Sequence, residues 1–206
     1  EPTAEPSTEP TAEPTAVPTT EPEPEKPETT KTLDLLEGNI LIEEDGYTIG
    51  DGEKQSYTGA YTISGNSTST TNSITVSGGT HTIVLDNVII TTAAGSPITL
   101  TNKAKVNLQL SGTTTLNSPA KKACIEVPKG CELSLSGTGK LFAMGGQSAA
   151  AIGASGSDKD ADAGTLGKIV IYSGTIVAKG GRNGAGIGDG QCGRGGGKII
   201  VYGGDI

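Results

Sequence analysis

Four aspartates in two glycine-rich segments are the clearest set of candidate metal ligands. Asp158, Asp160 and Asp162 occupy alternate positions of the segment S-D-K-D-A-D-A-G, and Asp189 lies in a later segment of similar composition. Alternating carboxylates let one loop offer several hard oxygens to Ca²⁺. The segment lacks the central glycine and the final glutamate of an EF-hand loop. The pattern therefore predicts a calcium site, with a solvated acidic loop as the alternative.

Two tyrosines are the best candidates for contacts with a sugar. Tyr172 and Tyr202 each follow an apolar segment, K-I-V-I and K-I-I-V respectively, at the same place. If these segments are neighbouring parallel strands, alternation directs both rings outward and about 4.8 Å apart. Exposed aromatic rings stack on sugar faces, which predicts a carbohydrate contact. A self-stacked pair that stabilises the fold is the alternative.

Catalysis is not indicated by the remaining reactive residues. His81 is the only histidine, no G-x-S-x-G segment accompanies it, and we expect it to be an exposed strand residue. A lyase would need a basic residue beside its metal, and Arg182 and Arg194 are the only arginines. The chain is predicted not to be an enzyme, with a polysaccharide lyase as the less favoured alternative.

Charge and cysteine content exclude two further classes of site. The net charge is −8, and eight glutamates and two lysines within residues 1–31 account for most of it. The remainder is nearly neutral and has no basic stripe, so nucleic-acid binding is not expected. Cys124, Cys131 and Cys192 match no zinc spacing. Unreactive thiols are expected, with a Cys124–Cys131 disulfide left open.

A repeat of about 25 residues determines how these side chains are positioned. An isoleucine within a short β-type segment recurs at intervals of 24, 27, 27 and 35 residues: Ile74, Ile98, Ile125, Ile152 and Ile187. A second apolar segment follows each, at 83–85, 108–110, 133–135, 169–171 and 199–201, and a turn then leads to a third apolar position. Three short strands per repeat predict an all-β, right-handed, single-stranded parallel β-helix.

The repeat also predicts the domain organisation. Residues 1–32 repeat an E-P-T-A pattern and are expected to form a disordered, extended linker. Residues 33–72 are predicted to form an irregular repeat or cap, and residues 73–206 the regular repeats, truncated at the C-terminus. The longest insertions, 154–166 and 189–197, follow the first strand of successive repeats, so they are expected to lie on one side of the fold.

The segments G-K-I-V-I-Y-S-G-T-I at 167–176 and G-A-G-I-G at 184–188 resemble the glycine-rich repeats of secreted Gram-positive carbohydrate-binding domain proteins. That family is similar in fold to the pectate lyases, and the segment 83–116 resembles its strand and Asp-Asn turn pattern. The resemblance implies an extracellular protein that binds polysaccharide or mediates adhesion. It also implies an association with calcium.

The sequence therefore predicts a non-catalytic carbohydrate-binding or adhesive module on a cell-surface stalk. Its expected partner is a polysaccharide or a host or cell-wall glycan, and no apolar segment is long enough to insert into a membrane. A structural spacer is the first alternative. An ice-binding helix would need an unbroken row of threonines, and Glu126 and Gly153 are expected to interrupt the row of Thr75 and Thr99.

Overall fold

The computed structural model describes residues 21–157 and 164–206. Within these ranges, twenty β-strands, numbered in chain order, form three sheets, and the only helical element is the 3₁₀ turn Leu35–Glu37. The prediction of an all-β chain is therefore confirmed for the described residues.

Each sheet gathers strands from along the whole chain. Sheet A contains β1 (Thr30–Asp34), β5 (Ala60–Ser64), β8 (Thr80–Asp86), β11 (Lys105–Ser111), β14 (Glu132–Gly137), β17 (Lys168–Ile171) and β20 (Lys198–Val201). Sheet B contains β2 (Ile40–Glu43), β3 (Gly46–Ile49), β4 (Gln55–Ser56), β7 (Ile74–Ser77), β10 (Ile98–Thr101), β13 (Ile125–Glu126), β16 (Ile152–Gly153) and β19 (Ile187–Gly188). Sheet C contains β6 (Ser69–Thr70), β9 (Ile89–Thr91), β12 (Thr113–Asn117), β15 (Lys140–Met144) and β18 (Thr175–Lys179).

From β5 onward, each repeat contributes one strand to sheet A, then one to sheet C and one to sheet B. Strands of consecutive repeats lie side by side and run parallel. Antiparallel pairing between strands of the described residues involves β2, β3 and β4, near the N-terminus, and one isolated antiparallel bridge joins Pro128 to Leu166. Long parallel sheets built in this way are compatible with a parallel β-helix or solenoid.

The isoleucine alignment predicted from the sequence is confirmed by the register of sheet B. Ile98 lies opposite Ile74 on one side and Ile125 on the other. Ile152 then continues the row to Ile187. Because each isoleucine points into the interior, the row forms a continuous apolar column through five repeats.

The alignment predicted for the second apolar segment of each repeat is wrong at one pair of strands in sheet A. The sequence pattern paired Leu108 with Leu133, but Leu108 lies opposite Leu135 and Leu133 lies opposite Val106. The strand β11 has three inward residues in alternation, so a shift by two residues keeps every apolar side chain inside. Alternation alone therefore did not determine this register.

Side chains that alternate along the strands fill the space between the sheets. In β12, Thr114 and Leu116 are buried, whereas Thr113 is exposed and Thr115 and Asn117 are partly exposed. The largest fully buried side chains include Tyr61, Leu33, Ile42, Ile83, Leu85 and Leu100. The outward positions of the same strands carry most of the polar residues, and these form the surfaces considered below.

A tyrosine cluster packs the N-terminal region. The Tyr61 ring meets Tyr47 and Tyr57 edge to face, with centroid distances of 5.9 and 5.1 Å. The Tyr61 hydroxyl donates a hydrogen bond to the Tyr57 carbonyl oxygen, 2.9 Å away. The buried phenol therefore keeps a hydrogen-bond acceptor.

Residues 21–29 have no regular secondary structure, and part of this segment lies against the outer face of sheet A. Gln109 Nε2 donates to the carbonyl oxygens of Pro24 and Glu25, at 3.2 and 2.9 Å. Ser173 Oγ donates to Glu23 Oε1 at 2.7 Å. We call residues 21–26 the strap, because they cross several strands of the sheet.

Candidate functional site

The two candidate sugar-contacting tyrosines are brought together by sheet A. Tyr172 and Tyr202 directly follow β17 and β20, which pair in parallel with Ile171 opposite Val201. Their ring centroids are 5.3 Å apart, the ring planes differ by 24°, and both side chains are half-buried. The rings therefore form a stacked pair on the outer side of the sheet.

The two stacked tyrosine rings have different neighbours. Each ring covers one face of the other, and among the described residues the far face of Tyr202 has no aromatic partner. Burial raises the pKa of Tyr172, and the nearby charge of Glu21, the Tyr202 ring and Glu23 raise it further. Tyr172 therefore lies between its partner ring and the acidic strap.

A row of outward-facing residues leads across sheet A toward the tyrosine pair. The strand register aligns Thr32, Thr62, Val84, Gln109 and Ser136. Because Leu135 lies opposite Ile171, the position after Ser136 in the row is that of Tyr172. Hydroxyl, amide and aromatic groups thus follow one another at the spacing of adjacent strands, about 4.8 Å.

The candidate calcium ligands are only partly described. Asp158, Asp160 and Asp162 lie outside the described residues. Asp189 Oδ2 accepts a hydrogen bond from the Gly195 amide at 3.1 Å, whereas its Oδ1 is buried without a hydrogen-bond partner among the described atoms. A buried carboxylate oxygen without a hydrogen-bond partner is a suitable ligand for a cation, because leaving its charge unpaired costs free energy.

The described parts of the two insertions lie against each other. The Ser157 amide donates to the Gln191 carbonyl oxygen at 3.2 Å, and the Gln191 amide donates to that of Ser148 at 2.7 Å. Gly190 lies so close to Gly156 that a side-chain Cβ would collide with its backbone. Ser157, the last described residue before the acidic segment, therefore lies beside the segment that carries Asp189. Within residues 21–157 and 164–206, no group of three potential metal-ligating side chains is found.

A polar cleft of about 350 Å³ lies beside the first insertion. It is lined by Lys121, Lys122, Glu126, Ser155 and Ser157, together with two glycines. Ser96 Oγ donates to Glu126 Oε2 at 2.9 Å, which holds the carboxylate on the outer side of sheet B. The cleft thus presents both charges to a polar ligand, and sequence reasoning did not identify it.

Sheet C carries an apolar surface that sequence reasoning also missed. Phe142, Met144 and Val177 are 41%, 53% and 49% exposed, and Phe142 lies opposite Val177 and Thr115. The alternation in K-L-F-A-M places Leu141 and Ala143 inside and Phe142 outside. The same period-two argument that selected the tyrosines would have found this ring.

His81 and the cysteines offer no nucleophilic arrangement. The prediction that His81 is exposed is wrong: it points inward in β8 and is only 7% exposed, with a ring nitrogen 3.0 Å from the Gly78 oxygen. Burial lowers the pKa of His81, which favours the neutral ring. No disulfide joins any of the three cysteines, and burial raises the pKa of the Cys124 and Cys131 thiols. A raised pKa keeps both as unreactive thiols.

No protein-family model, curated protein or solved structure matches this chain. None of the described helical segments is long and apolar enough to span a bilayer.

Proposed function

We propose that this chain forms a right-handed, single-stranded parallel β-helix and acts outside the cell as a non-catalytic carbohydrate-binding or adhesive module on a surface stalk. The observation that carries the proposal is the row on sheet A that ends in the stacked pair Tyr172 and Tyr202. Regularly spaced polar groups next to an aromatic pair suit a linear polymer of sugars. The resemblance of the glycine-rich segments to secreted carbohydrate-binding proteins supports the same function.

Each part of the row has a distinct role in this proposal. The exposed part of the tyrosine pair packs against the apolar face of a sugar ring, while the hydroxyl groups remain hydrated. Gln109 and Ser136 lie beneath the strap, so they would supply donors and acceptors to sugar hydroxyls only where a polysaccharide displaces it. Each contact is weak, so affinity arises when a polysaccharide meets several of them together.

The proposal includes a structural Ca²⁺ ion bound by the aspartates of the two insertions. Asp189 would supply the buried Oδ1, and Asp158, Asp160 and Asp162 would supply carboxylates from the neighbouring insertion. The bound ion would neutralise the acidic insertions. It would thereby stabilise the loops beside the polar cleft.

A structural spacer is the second candidate, and one observation favours it. Tyr172 and Tyr202 cover one face of each other, and the strap covers part of the row. A ladder of stacked side chains stabilises a repeat protein without binding anything. The two functions differ in whether the full chain retains any glycan.

The test is retention of the full chain on pectin, cellulose and mucin, each with Ca²⁺ and with EDTA. We expect retention on at least one glycan, loss of most of it in Tyr172→Ala/Tyr202→Ala, and weaker retention in EDTA. Asp189→Asn should reproduce the effect of EDTA. Phe142→Ala is the matched control, since its ring lies on sheet C. Absence of retention on every glycan would favour the spacer.

A further inference from the structure

The strap lies on the outer face of sheet A through several specific contacts. Gln109 Nε2 reaches the carbonyl oxygens of two successive strap residues, Pro24 and Glu25. Ser173 Oγ donates to the Glu23 carboxylate. A side-chain amide that binds consecutive backbone carbonyls recognises an extended chain, and the hydroxyl contact selects an acidic residue within it.

The strap also accounts for the burial of several residues that point outward from sheet A. Val84, Gln109, Ser136 and Val170 are only 5%, 5%, 2% and 2% exposed, although alternation directs them away from the interior. Pro24 lines the spaces above all four of these residues. A proline-containing chain in extended form suits such a strip of mixed apolar and polar side chains, because its conformation is largely fixed before binding.

Charge on the sheet complements the acidic strap. The register aligns a row of one threonine, three lysines and one glutamate across sheet A: Thr80, Lys105, Glu132, Lys168 and Lys198. Glu132 is paired with Lys105 and Lys168, which leaves an excess of positive charge in the row. Glu21 lines the same cavity as both lysines.

We propose that the outer face of sheet A is a binding groove for an extended, acidic, proline-containing segment. Residues 21–26 fill the groove in cis, and the equivalent linker segment of a second copy of this chain is its ligand in trans. The E-P unit recurs at residues 1, 5, 9, 13, 21 and 23, so each linker carries several candidate ligands. The groove would thus connect copies of the protein through their linkers.

The groove and the row of the proposed sugar site share four residues: Val84, Gln109, Ser136 and Tyr172. Tyr172 lines the cavity that also contains Glu21, Pro22 and Pro24. A segment in the groove therefore limits how far a polysaccharide extends from the tyrosine pair along the row. The peptide groove does not depend on the glycan proposal, and its test uses no glycan.

A cross-linking experiment on the full chain tests occupancy in cis. Lys26 and Thr138 line one cavity of about 180 Å³ and are exposed, and neither makes the contacts described above. The variant Lys26→Cys/Thr138→Cys is treated with a short bismaleimide, and cross-linked peptides are identified by mass. The matched control is Lys26→Cys/Met144→Cys, whose second thiol lies on sheet C.

We expect a cross-linking yield about tenfold above the control, because the strap holds the first pair together at high effective concentration. Adding Gln109→Ala should lower that yield about threefold or more, since two hydrogen bonds to the strap are lost. Equal yields from the two cysteine pairs would overturn the proposal.

Competition by a free peptide tests binding in trans. A synthetic peptide of residues 19–28, at about 10 mM to exceed the effective concentration of the tether, should lower the cross-linking yield severalfold. The same peptide with its glutamates replaced by lysine should have little effect. An undiminished yield with the acidic peptide, or equal competition by both, would contradict recognition of the segment.

Discussion

The early and late repeats fill their interiors by different means. Between β7 and β12, branched aliphatic side chains such as Val76, Leu85 and Leu100 fill the space between the sheets. Between β15 and β19, glycine and alanine prevail, and backbone segments lie directly against one another. A Cβ at Gly146 would overlap the Pro119 carbonyl oxygen, and one at Gly184 would overlap that of Ala149.

The difference shows that one strand arrangement tolerates two kinds of packing. Aliphatic repeats depend on burial of apolar area, so they lose stability in proportion to the side-chain volume removed. Glycine-rich repeats depend on close backbone approach, so they lose stability when any atom is added. Substitutions in the two regions should therefore have opposite size dependence.

The largest effect is expected from adding a methyl group to the late repeats. Gly146→Ala should lower the free energy of unfolding by about 4 kcal/mol or more, because backbone rather than a flexible side chain blocks the new atom. Gly195→Ala is the control: its Cβ would meet nothing within 4 Å, so only its left-handed φ of 69° costs energy, about 1 kcal/mol. Urea unfolding followed by circular dichroism measures both. Equal losses would contradict close backbone packing.

Removing side-chain volume should instead affect the early repeats more. Ile98→Ala should cost about 3 kcal/mol, because the fully enclosed side chain leaves a cavity. Ile187→Ala, in the same isoleucine column, should cost about 1 kcal/mol, since Ile187 lies in β19 at the edge of sheet B and is only partly buried. The same urea titration applies. A larger loss for Ile187→Ala would contradict the dependence of stability on the volume buried in the isoleucine column.

The buried Tyr61 of the N-terminal region should make the stability of the protein depend on pH above pH 10. Burial, with the nearby Tyr57, Tyr47 and Asp45, raises the pKa of Tyr61 to about 12. Because this pKa is raised above the ordinary value of 10.0, its contribution to stability is complete below pH 10 and is lost as pH rises toward 12. The urea midpoint should therefore fall over that window, and fall less in Tyr61→Phe. An identical pH dependence in both proteins would contradict this assignment.

The smallest effect is expected on the outer face of sheet A. Glu132→Gln removes the ion pairs with Lys105 and Lys168, which are 3.3 and 3.5 Å long and partly solvated. The loss in unfolding free energy should be about 0.5 kcal/mol or less. A loss above about 2 kcal/mol would show that this charge row, rather than the interior, stabilises the fold.

Sequence reasoning found the features that repeat and missed those that do not. The isoleucine column was predictable because one inward residue returns in each of five repeats. The offset of Leu108 against Leu133 was not, since a two-residue shift preserves alternation. The inward position of His81 was missed because a histidine gives no apolar signal, although it aligns with buried Val106.

At the candidate surfaces, too, features that repeat along the sequence were predictable and the others were not. The pairing of Tyr172 with Tyr202 followed from their equivalent places in two repeats. The strap was unpredictable, because E-P repeats suggest a solvated chain and its contact with Gln109 joins residues 84 positions apart. Asp189 was found by composition, but the unpaired state of its Oδ1 depends on the folded loop around it.

Binding of a polysaccharide at the tyrosine pair is the central claim, and affinity electrophoresis tests it most directly. The unsubstituted chain, Tyr202→Ala and Phe142→Ala would migrate through gels containing increasing amounts of the glycan that retains the unsubstituted chain. We predict that Tyr202→Ala raises the dissociation constant about tenfold, which equals a loss of about 1.4 kcal/mol in binding free energy. Phe142→Ala should leave the dissociation constant unchanged. Unaltered migration of Tyr202→Ala, or retardation of no protein by any glycan, would contradict the claim.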